Sequence, residues 1–178
     1  MQIINFLAEK YYKIAYDTFF YIEDNKKAAK YIEQALRLSP EHLKTLRLKG
    51  RMLLLEDRIK EALDVWLKLW NLGEDDFETA SKLAYCYAQK GDYPLALEFC
   101  EKSALRVSLD EREKMYSLYR LKIDLLLSAK RPASAFKLFK NALKMLGSSY
   151  ARELKNSYFF ASLSKESVIS LKNVKRAF

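Results

Sequence analysis

The chain has 178 residues, 50% of them hydrophobic and 31% charged, with a formal net charge of +9. That balance excludes a disordered chain and supplies enough apolar surface for a sizeable core. Four glycines and three prolines are too few for a turn-rich β-sandwich or a doubly wound sheet, and the isolated glycines assemble no phosphate- or dinucleotide-binding loop. One histidine, His42, and two cysteines, Cys86 and Cys100, exclude multi-histidine and cysteine-rich metal sites. No nucleophile–base pair stands out, so the chain is expected to be no enzyme and to need neither cofactor nor metal. Both cysteines sit among apolar residues and are expected to be reduced core thiols of a cytoplasmic protein.

Apolar residues recur at three- and four-residue intervals along the chain, the mark of amphipathic helices. They predict helices over 2–22, 26–38, 41–54, 58–71, 76–90, 93–106, 109–129, 132–146 and 150–163, with a weaker one in 165–177. The first opens with Ile3, Ile4, Phe6 and Leu7, an apolar turn without an earlier repeat to cover it, which points to self-association. It lacks the basic flank of a secretory signal, and no apolar run approaches the roughly eighteen residues of a membrane helix. Ser39-Pro40 reads as a cap followed by a first-turn proline. Asp75 with Glu78, and Ser108 with Glu111, fit capping boxes, and Gly91-Asp92 reads as a stop followed by the next cap.

These helices repeat. The segments KAAKYIEQALRLSP (27–40), KEALDVWLKLWNLG (60–73), PLALEFCEKSALRV (94–107) and ASAFKLFKNALKML (133–146) align on Ala28, Ala62, Ala96 and Ala135, at intervals of 34, 34 and 39 residues. A helix–turn–helix period of about 34 residues resembles the tetratricopeptide repeat. Within 83–105 the resemblance rests on Leu83, Ala84, Tyr87, Gly91, Tyr93, Ala96, Phe99 and Ala104. Ala15, Phe19, Ala28, Ala35 and Pro40 carry it in the first unit, Gly50, Ala62 and Trp66 in the second, and Leu126, Ala135, Phe139 and Ala142 in the fourth.

The resemblance implies an all-α fold, an α-solenoid of about four helix–turn–helix units. They are read as 9–42, 43–76, 77–110 and 116–149 within an array over 1–149. The displaced fourth unit lengthens its first helix by more than a turn. A closing helix is expected at 150–163, docking Tyr150, Leu154, Tyr158 and Ala161, because the last repeat would otherwise expose its apolar face. A basic amphipathic tail at 164–178 completes the chain.

The resemblance further implies a non-enzymatic protein–protein interaction module: an adaptor, chaperone or assembly factor holding a partner segment in a groove lined by the first helix of each unit. The family's groove positions fall on Lys10, Lys13, Asp17, Phe20 and Tyr21 of unit one and on Lys44, Arg47, Arg51, Leu54 and Leu55 of unit two. They continue on Glu78, Ser81, Lys82, Tyr85 and Gln89 of unit three and Ser117, Arg120, Asp124 and Leu127 of unit four. A groove so lined is basic and aromatic, and suits a protein segment whose acidic residues flank apolar anchors. The five-residue clamp that one subclass closes on the C-terminal carboxylate of chaperone tails falls on Lys13, Asp17, Leu48, Glu78 and Lys82; only the two lysines suit a carboxylate, Asp17 and Glu78 would repel it, and that partner is disfavoured.

Charge is unevenly spread. Residues 116–149 hold seven cations against Asp124 alone, and 150–178 hold six against Glu153 and Glu166. Lys137, Lys140 and Lys144 form a basic patch on the second helix of unit four. Nucleic-acid or anionic-surface binding through this part is the second functional reading. Nucleic acid is disfavoured as a partner for want of stacking aromatics, and a membrane for want of a second anchor.

Overall fold

The computed structural model describes residues 2–108, 110–160 and 168–170. Nine helices follow in order among them: α1 Gln2–Phe20, α2 Asn25–Leu38, α3 Leu43–Leu55, α4 Ile59–Asn71, α5 Phe77–Gln89, α6 Tyr93–Ala104, α7 Arg112–Ser128, α8 Pro132–Met145 and α9 Ser148–Ser157. Two short strands, β1 Tyr158–Phe160 and β2 Val168–Ser170, pair antiparallel with Phe159 opposite Ile169. The helices gather into two compact units, Met1–Asp75 with α1–α4 and Asp76–Phe178 with α5–α9. The division falls where the second and third repeats meet in the sequence. The fold class is the all-α solenoid of helical repeats, with helical hairpins making up each unit.

Each hairpin closes on its aligned alanine. Ala28, Ala62, Ala96 and Ala135 are all fully buried, because two helices approach closely only where one side chain is nearly absent. In the first unit Ala15, Phe19, Ala28 and Ile32 pack with Leu48 and Met52 of α3. Trp66 is fully buried against Gly50: a β-carbon there would lie 2.7 Å from the indole ring. In the second unit Tyr87 stacks on Phe99 with centroids 5.5 Å apart, while Ile123, Leu126, Phe139, Leu146 and Leu154 form one cluster with Tyr116.

The turns inside the hairpins share a device the glycine count conceals. Glu23, Asp57, Gly91 and Lys130 all have positive φ, between 55° and 79°, and follow each other at intervals of 34, 34 and 39 residues. After the last three, the N–H groups of Arg58, Asp92 and Arg131 donate to the carbonyls of Leu53, Tyr87 and Leu126. That is the bond by which a left-handed residue ends a helix. Three of the four positions carry a side chain and bear the associated strain.

Several expected boundaries move. The cap of α5 is Asp76, which accepts from the Thr79 N–H at 2.9 Å, and not Asp75. Adjacent carboxylates are equivalent in spacing, and only the backbone dihedrals choose between them. Glu111 does reach back to the Ser108 N–H, at 3.1 Å, but α7 starts at Arg112 and not at 109. Likewise α3 starts at Leu43, three residues beyond Pro40. The closing helix expected over 150–163 is shorter: α9 ends at Ser157, and Tyr158–Phe160 is extended. The helix expected in 165–177 is likewise interrupted by the strand Val168–Ser170. Aromatic and β-branched residues favour the pleated conformation over a helix. Ala161, and most of the tail at 164–178, lie outside the described residues. Within α9, Leu154 is fully buried and Tyr150 packs beside it. The Tyr150 ring stacks on Tyr116 at 5.3 Å, and the Tyr116 hydroxyl donates to Glu153 Oε1 at 2.8 Å.

Cys86 and Cys100 are both fully buried. Burial pushes their thiols up from the ordinary 9.0 to about 11 and about 12. The folded protein therefore keeps protons that the unfolded chain releases above pH 9.0, so stability is intact below that pH and falls as pH rises through 11 and 12. Native protein at about pH 8 is expected to leave an aromatic disulfide reagent unreacted, and urea-unfolded protein to react at both thiols; rapid native labelling would contradict this burial.

Two substitutions to and from glycine are expected to act in opposite directions. Gly50→Ala gains up to about 1 kcal/mol of helix propensity. It also drives a methyl into the buried Trp66 ring, at about 1–3 kcal/mol, and net loss of stability is expected. Lys130→Gly relieves a left-handed residue, and after the added freedom of the unfolded chain it should gain about 0.5–1 kcal/mol. Urea unfolding of both variants checks the pair; a stabilised Gly50→Ala would mean the ring moves aside.

Candidate functional site

In the first unit most nominated groove residues stand on the surface. Lys10, Lys13, Asp17 and Tyr21 are exposed on or just beyond α1. On α3 the three groove cations, Lys44, Arg47 and Arg51, already have partners within the protein. Lys44 donates to Glu9 Oε1 at 2.9 Å, and Arg47, largely covered, pairs with Glu74. Arg51 is half-buried and also engaged. The hydrogen bond from Lys44 holds the Glu9 carboxyl below its ordinary value, against the effect of burial, with His42 contributing. The same bond raises Lys44. His42 Nε2 lies 3.1 Å from Glu9 Oε2 and Nδ1 lies 2.7 Å from Thr45 Oγ1. A carboxylate only accepts, so Nε2 carries the hydrogen. Histidine is thus tied into structure rather than presented as a base.

Sequence reasoning pointed to Phe20 but missed Tyr12 and Tyr16, which make it the end of an aromatic ladder beside these charges. Tyr12, Tyr16 and Phe20 follow at four-residue spacing, with centroids 6.0 and 4.5 Å apart, and the Lys44 ammonium lies 5.8 Å from the Tyr12 ring. The spacing was visible in the sequence, but the family's groove positions fall one residue away at Lys13 and Asp17. Leu48, a nominal clamp position, is buried in the core.

In the second unit the nominated residues converge. Phe77, Glu78, Ser81, Lys82 and Tyr85 of α5 face Ser117, Leu118 and Leu121 of α7 across a groove of about 440 Å³. The helical spacing of 78, 81, 82 and 85 puts them on one face. Phe77, Leu118 and Leu121 form an apolar floor, and Tyr85 adds an exposed ring. Lys82 and Glu78 bring one charge of each sign, so this groove is apolar and balanced rather than basic. The Ser81 hydroxyl is used locally, donating to the Glu78 carbonyl at 2.9 Å. Gln89, Arg120, Asp124 and Leu127 contribute nothing to the lining. Arg120 instead acts on Tyr116, whose hydroxyl burial and the Glu153 carboxylate hold above its ordinary value.

Lys137, Lys140 and Lys144 are exposed on α8, a helix that contributes no residue to the α5–α7 groove. Lys140 sits 5.0 Å above the Phe136 ring. Among the described residues no three His, Cys, Asp or Glu side chains gather as a metal site would require. No described helix is long and apolar enough to cross a membrane.

Residues 17–71 match the family described as Tetratricopeptide repeat. A search of curated protein sequences finds no match. Among solved structures, MamA 41-end from Desulfovibrio magneticus RS-1 superposes with a TM-score of 0.67 at 17% identity, over 78% of this chain and 75% of that one. YrrB, a tetratricopeptide protein with an unusual peptide-binding site, gives 0.54 at 12% identity, over 82% and 90%. The TPR2AB domain of yeast Sti1, in complex with pHSP90, gives 0.56 at 17% identity, over 86% and 69%. At these identities the structures share a fold with this chain. Alanine-closed hairpins at a 34-residue period, the sequence match and the superpositions converge on one repeat: residues 17–71 match the tetratricopeptide family, and the chain shares the fold of tetratricopeptide arrays.

Proposed function

We infer that this protein is a non-enzymatic interaction module that holds a short peptide segment of a partner protein in the α5–α7 groove. One observation carries the reading. Five residues nominated as partner-facing, Glu78, Ser81, Lys82, Tyr85 and Ser117, line one cavity of about 440 Å³ with an apolar floor. That volume lies in the range of about 300–1,000 Å³ typical of ligand-binding clefts. A segment with one or two apolar anchors fits the floor formed by Phe77, Leu118 and Leu121, while Lys82 and Glu78 engage polar groups at its two ends. The fold supports it by likeness: YrrB has a peptide-binding site and the Sti1 domain is complexed with pHSP90. The balanced charge argues for an amphipathic segment here rather than an acidic one. Adaptor, chaperone and assembly-factor roles all use this act of holding, and a cytoplasmic setting suits the buried reduced thiols.

The test is a peptide library selected on the protein, followed by titration of variants. Tyr85→Ala is expected to weaken binding about tenfold or more, as truncating a central aromatic anchor does, with an unchanged circular dichroism spectrum. Tyr21→Ala should have no effect. Affinity should depend little on salt, because charges of both signs contribute. Full binding by Tyr85→Ala would remove the groove from consideration.

A second reading concerns the start of α1. Ile3 and Phe6 are 75% and 69% exposed, and Ile4 and Leu7 continue the apolar surface, which favours self-association through this turn. Replacing Ile3 and Phe6 with serine should lower any concentration-dependent mass in light scattering while the melting temperature barely moves. A monomer at all concentrations in both forms would rule it out.

A further inference from the structure

The second unit contains another groove, between α6, α7 and α8, of about 360 Å³. Its floor is apolar: Leu97 of α6, Leu126 of α7 and Leu138 of α8. Its rim carries three cations, Lys122, Arg131 and Lys137. Glu101 is the single carboxylate among the lining residues, and Lys122 donates to it. That pair cancels, and Arg131 and Lys137 are left as two positive charges at the mouth. Both are exposed. Neither side chain forms a hydrogen bond or ion pair among the described residues. The backbone fixes where Arg131 stands: its N–H donates to the Leu126 carbonyl at 2.8 Å, and Pro132 opens α8 directly after it.

We propose that this groove docks an acidic segment of a partner protein, with an apolar side chain on the leucine floor and carboxylates on Arg131 and Lys137. Complementarity decides the occupant. Cations beside an apolar floor attract a ligand that brings both carboxylates and an apolar anchor, and the arginine fork suits a carboxylate. The surrounding stretch strengthens the field, since residues 116–149 hold seven cations against Asp124 alone. A nucleic acid fits less well: no aromatic ring lines the groove for base stacking, and a phosphate backbone would leave the leucines uncovered. The chain's own tail is also the wrong sign, with Lys165, Lys172, Lys175 and Arg176 against Glu166. This site shares no lining residue with the α5–α7 groove, so the two stand or fall separately.

The test titrates the full chain with three fluorescent probes: a short peptide with two leucines flanked by aspartates, its asparagine counterpart, and a single-stranded DNA of equal charge. The aspartate peptide is expected to bind, more weakly as salt rises, with the other two at least about tenfold weaker. Arg131→Glu with Lys137→Glu should lower its affinity by about tenfold or more, and the milder Arg131→Gln with Lys137→Gln by less. Thermal melts check that both pairs remain folded. Tyr85→Ala should leave this binding unchanged, which separates the site from the α5–α7 groove. Equal binding of the DNA or of the asparagine peptide, or undiminished binding by the charge-reversed pair, overturns the proposal. So does loss of binding in Tyr85→Ala alone.

Discussion

The structure depends on close approach of paired helices at positions where a side chain must be almost absent. Ala28, Ala62, Ala96 and Ala135 have no exposed surface, and Gly50 goes further, leaving room for the Trp66 ring within van der Waals reach of the backbone. Interiors pack at crystal-like density, so a methyl group at such a contact is felt throughout the hairpin. Large residues then fill what the small ones leave: Trp66 in the first unit, Phe99 on Tyr87 and Phe139 against Tyr116 in the second. Every functional surface described above is the outside of this arrangement. Residues 78, 81, 82 and 85 can face a groove only because Leu83, Ala84 and Cys86 turn the opposite side of α5 into the core.

The same constraint explains what could be read from the sequence. Alanine spacing at 34 residues made the repeat legible, and most helix boundaries fall within three residues of the expected ones. The hairpin turns were legible only at Gly91. Glu23, Asp57 and Lys130 occupy the equivalent left-handed position, but propensity argues against each of them there, and only the period could have pointed to them. The partners of the charges were not legible. Glu9 with Lys44 and Tyr116 with Glu153 are 35 and 37 residues apart, about one repeat. Such pairs join helices that are neighbours in space and distant in sequence, and no local pattern selects them. Two nominated groove cations, Lys44 and Arg47, are for this reason committed to the protein's own carboxylates.

The end of the array failed for a different reason. Tyr150 and Leu154 stand at helical spacing and do dock, but an apolar period does not say where a helix stops. At Tyr158 the chain becomes extended and pairs with Val168–Ser170. Consecutive aromatic residues are compatible with either state in a helical reading, and the choice falls to a pairing partner ten residues further on.

The two grooves of the second unit trace back to one irregularity. Five residues beyond the regular period separate the third and fourth aligned alanines, and α7 runs to 17 residues where α3 and α5 have 13. That is about one further turn. Ser117, Leu118 and Leu121 line the groove shared with α5, while Lys122 and Leu126 line the one shared with α6 and α8. A single helix thus supplies apolar floor to both. The charges divide between them: Lys82 is offset by Glu78 in one, whereas Arg131 and Lys137 have no counter-ion among the described residues in the other. Since both floors are leucine-rich, it is this difference at the rims that would let two segments of opposite character, one amphipathic and neutral, one acidic, be told apart by a single unit of the protein.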